Sequence, residues 1–321
     1  MWSILPSVLY KWYRNHLSNY NPDKSSGKWP QRFIETVDES TGEVIKEKPI
    51  YVFEPENIGK QMSIDDKAIG PDGYTIFSNT QTSKIAMMVE STKAEELGKA
   101  LSSFGDDLLK IESISSDMDH TYLKLCQDQI PCAKIVIDKF HVIRYVYDAV
   151  LDVRIKIKKE LTEGLTKGKK KTEKDKEILC EVALLNRCLH KLTQSPDKWN
   201  EATTELMTII FSKYKKLKTA YDLSQDFKKW YNIKNYQHDK TKIKDKLWQW
   251  YLEVKKSGIE EFVPVAKMIR KHEDEILNYF LSGHTNAGAE RLNGKIERFV
   301  SANYGMRDKD FSLYRIAGYF S

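Results

Sequence analysis

No run of residues in this chain stays apolar for more than a few positions. That is far below the roughly 20 needed to cross a bilayer, and no membrane span is expected. The opening residues, MWSILPSVLY, lack the leading Lys or Arg of a secretory signal and pass directly into charged sequence, so export is not expected either. Cysteine is scarce. Cys126, Cys132, Cys180 and Cys188 are the only four, and their spacing fits neither the C-x-x-C pairs of a zinc site nor a disulfide framework. They are expected to be reduced thiols buried in a cytoplasmic protein. With 15 glycines and 9 prolines among 321 residues, the chain is not collagen-like.

What is present is the composition of a folded protein. Hydrophobic residues make up 40% and charged residues 31%, enough for a real core, and the length suits about two domains. The net charge of +6 is unevenly spread. Residues 139–275 hold 31 Lys and Arg against 21 Asp and Glu, whereas the remainder holds 21 against 25. A basic middle in a slightly acidic frame suits a polyanion, because clustered Lys and Arg displace counterions from phosphates. A solvated, Lys-rich helical surface gives the same counts, and both readings stand at this point. The densest run, Lys167 to Lys171 with Lys174 and Lys176, falls between two helical patterns and reads as a loop tip.

Along the chain, residues 1–20 interleave aromatic and basic side chains (Trp2, Tyr10, Trp12, Tyr13, Arg14) and suit a short helix. Residues 31–60 read as an extended linker or edge strand, with Tyr51, Val52 and Phe53 between Pro49 and Pro55. From residue 61 the pattern changes. Strands are predicted at 61–65, 74–78 and 84–89, the last two forming a hairpin around residues 79–83. A helix follows over 94–104, where Leu97, Ala100, Leu101 and Phe104 recur at helical spacing before Gly105. A strand at 109–116, a short helix at 119–128 and a strand at 132–137 complete this part. Three strands, helix, strand, helix, strand is the order of a mixed α/β sheet of RNase H-like type.

After Asp138 the pattern is helical throughout. Val142, Tyr145, Val146, Ala149, Val150, Val153 and Ile157 line one face of a long helix. Further helices are predicted over 178–192, 206–217 and 262–280, with Trp230, Trp248 and Trp250 read as packing residues. The last helix opens after the capping types Thr285 and Asn286 and runs to about Val300. Glu290, Asn293 and Glu297 share one of its faces, and Arg291, Lys295 and Arg298 form a basic stripe beside them.

Two of the predicted strands end in acidic pairs, Asp65-Asp66 and Asp117-x-Asp119. In an RNase H-like sheet the first and fourth strands are neighbours, so aspartates at those ends lie within reach of a shared site. Carboxylate oxygens suit Mg²⁺ or Mn²⁺, and a third carboxylate from a helix completes a two-metal arrangement for in-line displacement at phosphorus.

The segments around these acids are specific. Ser63-Ile64-Asp65-Asp66-Lys67 with Gly73-Tyr74 resembles the first-aspartate block of bacterial insertion-sequence transposases of the ISL3 type. Ser116-Asp117-Met118-Asp119 with Tyr122 and Pro131 resembles their second block, and Asp138 to Val142 is similar to their D-x-F-H-V segment. His284 to Ile296, with Tyr304 to Arg307, resembles the third block, and residues 191–221 resemble the family's helical insertion.

This resemblance spans residues 60–316. It implies a DDE catalytic core, DNA as substrate, and two Mg²⁺ or Mn²⁺ ions held by Asp65, Asp117 and Glu290. Asp66 stands where the family commonly has Glu, so Asp65 and Asp66 compete for the first position. Asp138 and His141 take supporting roles, with a locally bonded core histidine as the other reading of His141. Arg291, Lys295 and Arg298 contact the DNA backbone. The implied organisation is an N-terminal linker or docking segment (1–60), a first core part (61–145), a helical insertion (146–280) and a closing core helix with its tail (281–321).

Relatives normally carry a recognition module ahead of the core, and none is visible in the first 60 residues. The chain therefore resembles the catalytic half of the two-reading-frame ISAon subgroup, with a separately encoded DNA-recognition protein as partner. A homodimer or larger assembly and a nucleoid-associated cytoplasmic location follow from the same resemblance. A non-catalytic DNA-binding remnant and another RNase H-like nuclease remain the alternatives.

Overall fold

The computed structural model describes residues 6–20, 29–30, 32–37, 44–165, 172–232, 239–283, 286–303 and 308–321. The Lys167–Lys171 run, His284, Thr285 and the Tyr304–Arg307 segment lie outside them. The chain forms two compact units, residues 1–138 with 284–321, and residues 139–283.

The first unit is built on one seven-stranded sheet. Its strands are β1 (Arg32–Val37), β2 (Val44–Phe53), β3 (Gln61–Ile69), β4 (Asp72–Asn79), β5 (Lys84–Val89), β6 (Ser113–Ser116) and β7 (Lys134–Ile137). They are arranged in the order β1-β2-β5-β4-β3-β6-β7. β1 to β5 pair antiparallel with their neighbours, and β3, β6 and β7 pair in parallel. The segment expected as an extended linker or edge strand thus supplies two strands. β2 is an interior strand between β1 and β5, with Pro49 confined to the stretch that pairs with β1 and Ile50 to Phe53 reaching β5. A proline can sit there because its missing N–H faces no rung of the β5 ladder.

The aromatic N-terminal segment, expected as a short helix, packs on the C-terminal helix. It comprises α1 (Pro6–Trp12) and a π-helical turn over 13–17. Tyr10, Tyr13 and Tyr20 surround Phe311 of the C-terminal helix, α12 (Lys309–Phe320), with centroids 5.7, 6.1 and 5.2 Å away. Arg14 Nε meets Asp308 at 2.6 Å.

Alternation along β3 and β4 divides the sheet into two faces. On one face Ile69, Tyr74, Ile76, Ile85 and Met88 pack with Tyr51 and Val52 of β2. They lie against Leu292 and Ile296 of α11 (Ala287–Ala302) and Leu313 and Ile316 of α12. Each of these four helix side chains is fully buried, which contributes about 1.5–3 kcal/mol apiece. The other face carries α2 (Ala94–Ser102) and α3 (His120–Gln129), with Leu97, Leu101, Tyr122 and Cys126 buried. Cys126 and Cys188 are buried as expected, whereas Cys132 and Cys180 are exposed.

The second unit is helical. It comprises α4 (Lys139–Glu163), α5 (Glu173–Arg187), α6 (Glu201–Lys213), α7 (Lys215–Trp230), α8 (Lys240–Ser257), α9 (Phe262–Lys271) and α10 (Glu273–Ser282). Val142, Val146, Ala149, Val150 and Val153 of α4 are buried along the expected stripe, while Tyr145 is exposed. Two long predicted helices are broken, at Tyr214 and at His272. Trp230 and Trp250 are buried and donate their indole N–H groups to the carbonyls of Ile243 and Leu223, each at 2.9 Å. Trp248 differs from its expected packing role: it is 51% exposed, with the Arg270 guanidinium 5.4 Å from its ring.

Candidate active site

β3 and β6 lie side by side in parallel, and their ladder runs from Gln61 opposite Ser113 to Ser63 opposite Ser115. Asp65 and Asp117 each stand two residues beyond that last pair, at the same level of neighbouring strands. Asp65 is still within β3, and Asp117 follows the last residue of β6. The expected adjacency of the two acid-bearing strands is therefore present in the backbone.

Asp65 and Asp66 point to opposite faces, as successive strand residues must. The Asp65 Oδ2 accepts from Asn293 Nδ2 of α11 at 3.0 Å, and its Oδ1 accepts from the Asp66 backbone N–H at 2.9 Å. Asp66 turns to the α3 face. There its Oδ1 accepts from Thr75 Oγ1 at 2.9 Å and from the Tyr122 hydroxyl. Burial, then the hydrogen bond to Asp66, pushes the Tyr122 phenol far above its ordinary range, which keeps it a proton donor to that carboxylate. Asp65, not Asp66, shares its face with α11.

The second acidic pair also separates by environment. Asp119 is the N-cap of α3, where its side chain accepts from the Thr121 N–H at 2.7 Å. Asp117 lies half-buried at the strand end, with its Oδ1 accepting from the Asp119 N–H at 2.9 Å.

Helix α11 runs along β3 in the same direction, fixed by three contacts on alternate strand residues. Asn286, just before the helix, accepts from Ser63 Oγ at 2.7 Å; Asn293 donates to Asp65; Glu297 meets Lys67 Nζ at 3.0 Å. Eleven helical residues rise roughly 16 Å while four strand residues rise roughly 13 Å, so the two elements stay in step. Positions 286, 290, 293 and 297 form one stripe, and the exposed Glu290 stands between the two asparagines on it. The helix comes close enough for this because residue 288 is glycine. A Cβ there would lie 1.9 Å from the carbonyl oxygen of Thr80.

Asn286 was legible in the sequence only as a capping residue. It occupies the N-cap position without a side-chain cap bond. Its Oδ1 accepts from both Ser63 Oγ and Ser115 Oγ, at 2.7 and 2.8 Å, and its Nδ2 donates to Asp138 Oδ2 at 3.2 Å. All four residues are buried. Asp138 follows β7, with its backbone N–H bonded to the Ser116 carbonyl at 2.9 Å. His141 is half-buried in the first turn of α4, in the second unit. Arg291, Lys295 and Arg298 are exposed, and Arg298 Nε donates to the Gly294 carbonyl at 3.1 Å.

Among the described residues no three His, Cys, Asp or Glu side chains come together closely enough to hold a metal ion. The acids expected to form the site are all carboxylates, the donor type that suits a hard divalent cation. The backbone brings Asp65 and Glu290 to one strand–helix face and sets Asp117 at the adjoining strand end. In donor chemistry the site fits Mg²⁺ or Mn²⁺.

A sheet that carries acids at adjacent parallel strand ends, beside a helix bearing a third, is a frame for phosphoryl-transfer chemistry. The family model described as transposase, of the ISL3 type of DDE enzymes, matches residues 62–316. The chain belongs to that family, whose members act on DNA and use divalent metal ions. No curated protein and no solved structure matches it. No helix of the described residues is long and apolar enough to cross a membrane.

Proposed function

We propose that this protein catalyses metal-dependent cleavage and strand transfer of insertion-sequence ends, with Asp65, Asp117 and Glu290 as its catalytic carboxylates. The observation that carries this reading is the pinning of α11 to β3, through Asn286 and Asn293, on the face that bears Asp65. The strand order β5-β4-β3-β6-β7, antiparallel then parallel, supports an RNase H-like core. Residues 139–283 would be its all-α insertion between the second and third acids.

The three carboxylates would hold two Mg²⁺ or Mn²⁺ ions. Bound there, the ions supply an activated water or 3′-hydroxyl and a counter-charge for the leaving oxygen. The protein's part is to hold the ligands: Asn293 fixes one oxygen of Asp65, and the Asp119 N–H fixes one oxygen of Asp117. Arg291, Lys295 and Arg298 on the outer side of the same helix, together with the basic helical unit, hold phosphates of double-stranded DNA. That contact positions the substrate without reading its sequence. Recognition of the terminal repeats falls to a separately encoded partner protein, and pairing of two ends calls for a homodimer or larger assembly in the nucleoid.

Glu290→Gln keeps the shape of the side chain and removes its charge. Cleavage of a plasmid carrying the element's ends falls to background in this variant, and salt-sensitive DNA binding is nearly unchanged. Retained cleavage and strand transfer by Glu290→Gln would refute the assignment. That no three potential metal ligands come together among the described residues favours a second reading, a DNA-binding remnant without chemistry. Absence of strand-transfer products from the wild-type chain with its recognition partner and Mn²⁺ selects that reading instead.

A further inference from the structure

We propose that Asp138 is not a metal ligand but half of a buried clamp, Asp138–Asn286, that positions the helix bearing Glu290 against the strands bearing Asp65 and Asp117. The inference rests on the carboxylate assignment above and assigns its supporting residue a physical task.

The hydrogen-bond logic fixes the orientation of the Asn286 amide. An ionised carboxylate only accepts, so the Asn286 amide must present its NH₂ to Asp138 and its oxygen to the two serines. Ser63 and Ser115, the last residue pair of the β3–β6 ladder, both donate to that oxygen, at 2.7 and 2.8 Å. The reversed amide would set oxygen against carboxylate, two acceptors face to face. One side chain therefore joins β3, β6 and the end of β7 to the start of α11, through contacts 223, 171 and 148 residues apart in the chain.

Each strand contact lies two residues before an acid, Ser63 before Asp65 and Ser115 before Asp117, and Glu290 is one helical turn after Asn286. A shift at the clamp is thus passed to all three carboxylates over a few ångströms of regular backbone. The amide nitrogen takes the Asp138 Oδ2 at 3.2 Å, and the residue is buried. Asp65 also accepts from an amide, but it is only half-buried at the strand edge, whereas Asp138 is buried with that contact reaching into the strand–helix junction.

The test exchanges the two ends of the clamp. Asn286→Asp sets two carboxylates against each other, whereas Asp138→Asn keeps an oxygen that accepts from the Asn286 amide and removes only the charge. The double variant Asn286→Asp with Asp138→Asn restores a carboxylate facing three donors, with the polarity reversed. Mn²⁺ binding to the full chain is read by electron paramagnetic resonance, alongside DNA binding and thermal melting.

Asn286→Asp is expected to bind Mn²⁺ roughly 10–100-fold more weakly, the usual effect of losing a group that orients a ligand, and Asp138→Asn to stay close to wild type, with DNA binding retained in both. The double variant is expected to return close to wild type in both Mn²⁺ affinity and melting temperature. Ser63→Ala with Ser115→Ala is a milder perturbation if a single variant does not fold, and it too should weaken Mn²⁺ binding. An Asp138→Asn chain or a double variant that melts like wild type but binds Mn²⁺ roughly 10-fold or more weakly overturns the proposal, because Asp138 then acts on the metal directly. Unchanged Mn²⁺ affinity in Asn286→Asp, or in the serine pair, overturns it as well. If the wild-type chain binds no Mn²⁺, the carboxylate assignment itself fails, and the clamp's role falls with it.

Discussion

Gly288→Ala is the sharpest test of the way α11 is seated, because helix propensity and packing predict opposite signs for it. In an open helix position, alanine is favoured over glycine by about 1 kcal/mol. At residue 288 the added Cβ would meet backbone, with the Thr80 oxygen at 1.9 Å, its carbonyl carbon at 2.6 Å and its Cα at 2.7 Å. Backbone at the β4–β5 turn has no rotamer through which to yield. The helix start must retreat by about 1.5 Å, the gap between 1.9 Å and the 3.4 Å where ordinary contact begins. Overpacking of this kind costs about 1–3 kcal/mol, occasionally more, and it outweighs the propensity gain. The same displacement moves Glu290, half a turn further on, and a 1 Å misplacement of a catalytic group costs roughly 10²-fold in rate.

Gly294→Ala in the same helix is the control. Nothing lies within 4 Å of its Cβ position, so it should raise stability by about 0.5–1 kcal/mol. Urea denaturation measures both substitutions, and plasmid cleavage follows the first. A Gly288→Ala chain that is as stable as Gly294→Ala and cleaves normally would show that α11 does not approach Thr80 as described, and the stripe from Asn286 to Glu297 would lose its anchor.

Three further outcomes follow from the same packing. Burial, and the Asp117 charge near it, raise the Cys126 thiol to about 12; burial raises Cys188 to about 11. A disulfide reagent should therefore titrate Cys132 and Cys180 rapidly in the native protein and all four thiols only after denaturation, and fast reaction of three or four would contradict the packing of α3 and α5. Glu96 is held below its ordinary range: burial opposes its charge, but Ser91 donates to it at 2.5 Å and Lys48 lies 3.0 Å away. Because its folded value is depressed, its contribution to stability is present above the unfolded value of about 4.3 and is lost as the pH falls through the folded one, so the stability gap between wild type and Glu96→Gln should shrink from pH 6 to pH 3. Trp250→Ala should cost about 3–5 kcal/mol and Trp248→Ala less than about 1 kcal/mol, as read by chemical denaturation; equal costs would mean that Trp248 is packed.

The strands from β3 to β7 were legible because their apolar residues alternate or run continuously between turn residues, and that pattern is local. β2 was not legible. Its first half, Val44 to Pro49, reads Val-Ile-Lys-Glu-Lys-Pro, a run that local propensity assigns to a loop. Tertiary partners overrule it: Lys48 meets Glu96, and Tyr51 and Val52 enter the core. The breaks at Tyr214 and His272 escaped notice for the converse reason, since neither position carries the Gly or Pro that announces a helix end. Trp248 escaped because an indole on an amphipathic helix looks the same from sequence whether or not a neighbour covers it.

The acids themselves show where sequence pattern stops. Period-two alternation requires Asp65 and Asp66 to face opposite ways, but nothing local says which face receives the helix. Asn293, 228 residues away along the chain, decides it. Asn286 is the stronger case: its residue type and place before a helix both spell a cap, and all three side-chain partners that give it a different task are more than 140 residues distant. A capping asparagine would satisfy a backbone N–H near the helix start and contribute about 1 kcal/mol of local stability. Spent on Ser63, Ser115 and Asp138, the same amide fixes the relation between strands and helix. Its loss leaves two serine hydroxyls and a carboxylate buried with fewer partners, at about 1–3 kcal/mol for each group left unsatisfied. The chain gives up a helix cap to hold its carboxylate-bearing elements in register, which is the exchange expected where position matters more than the stability of one helix end.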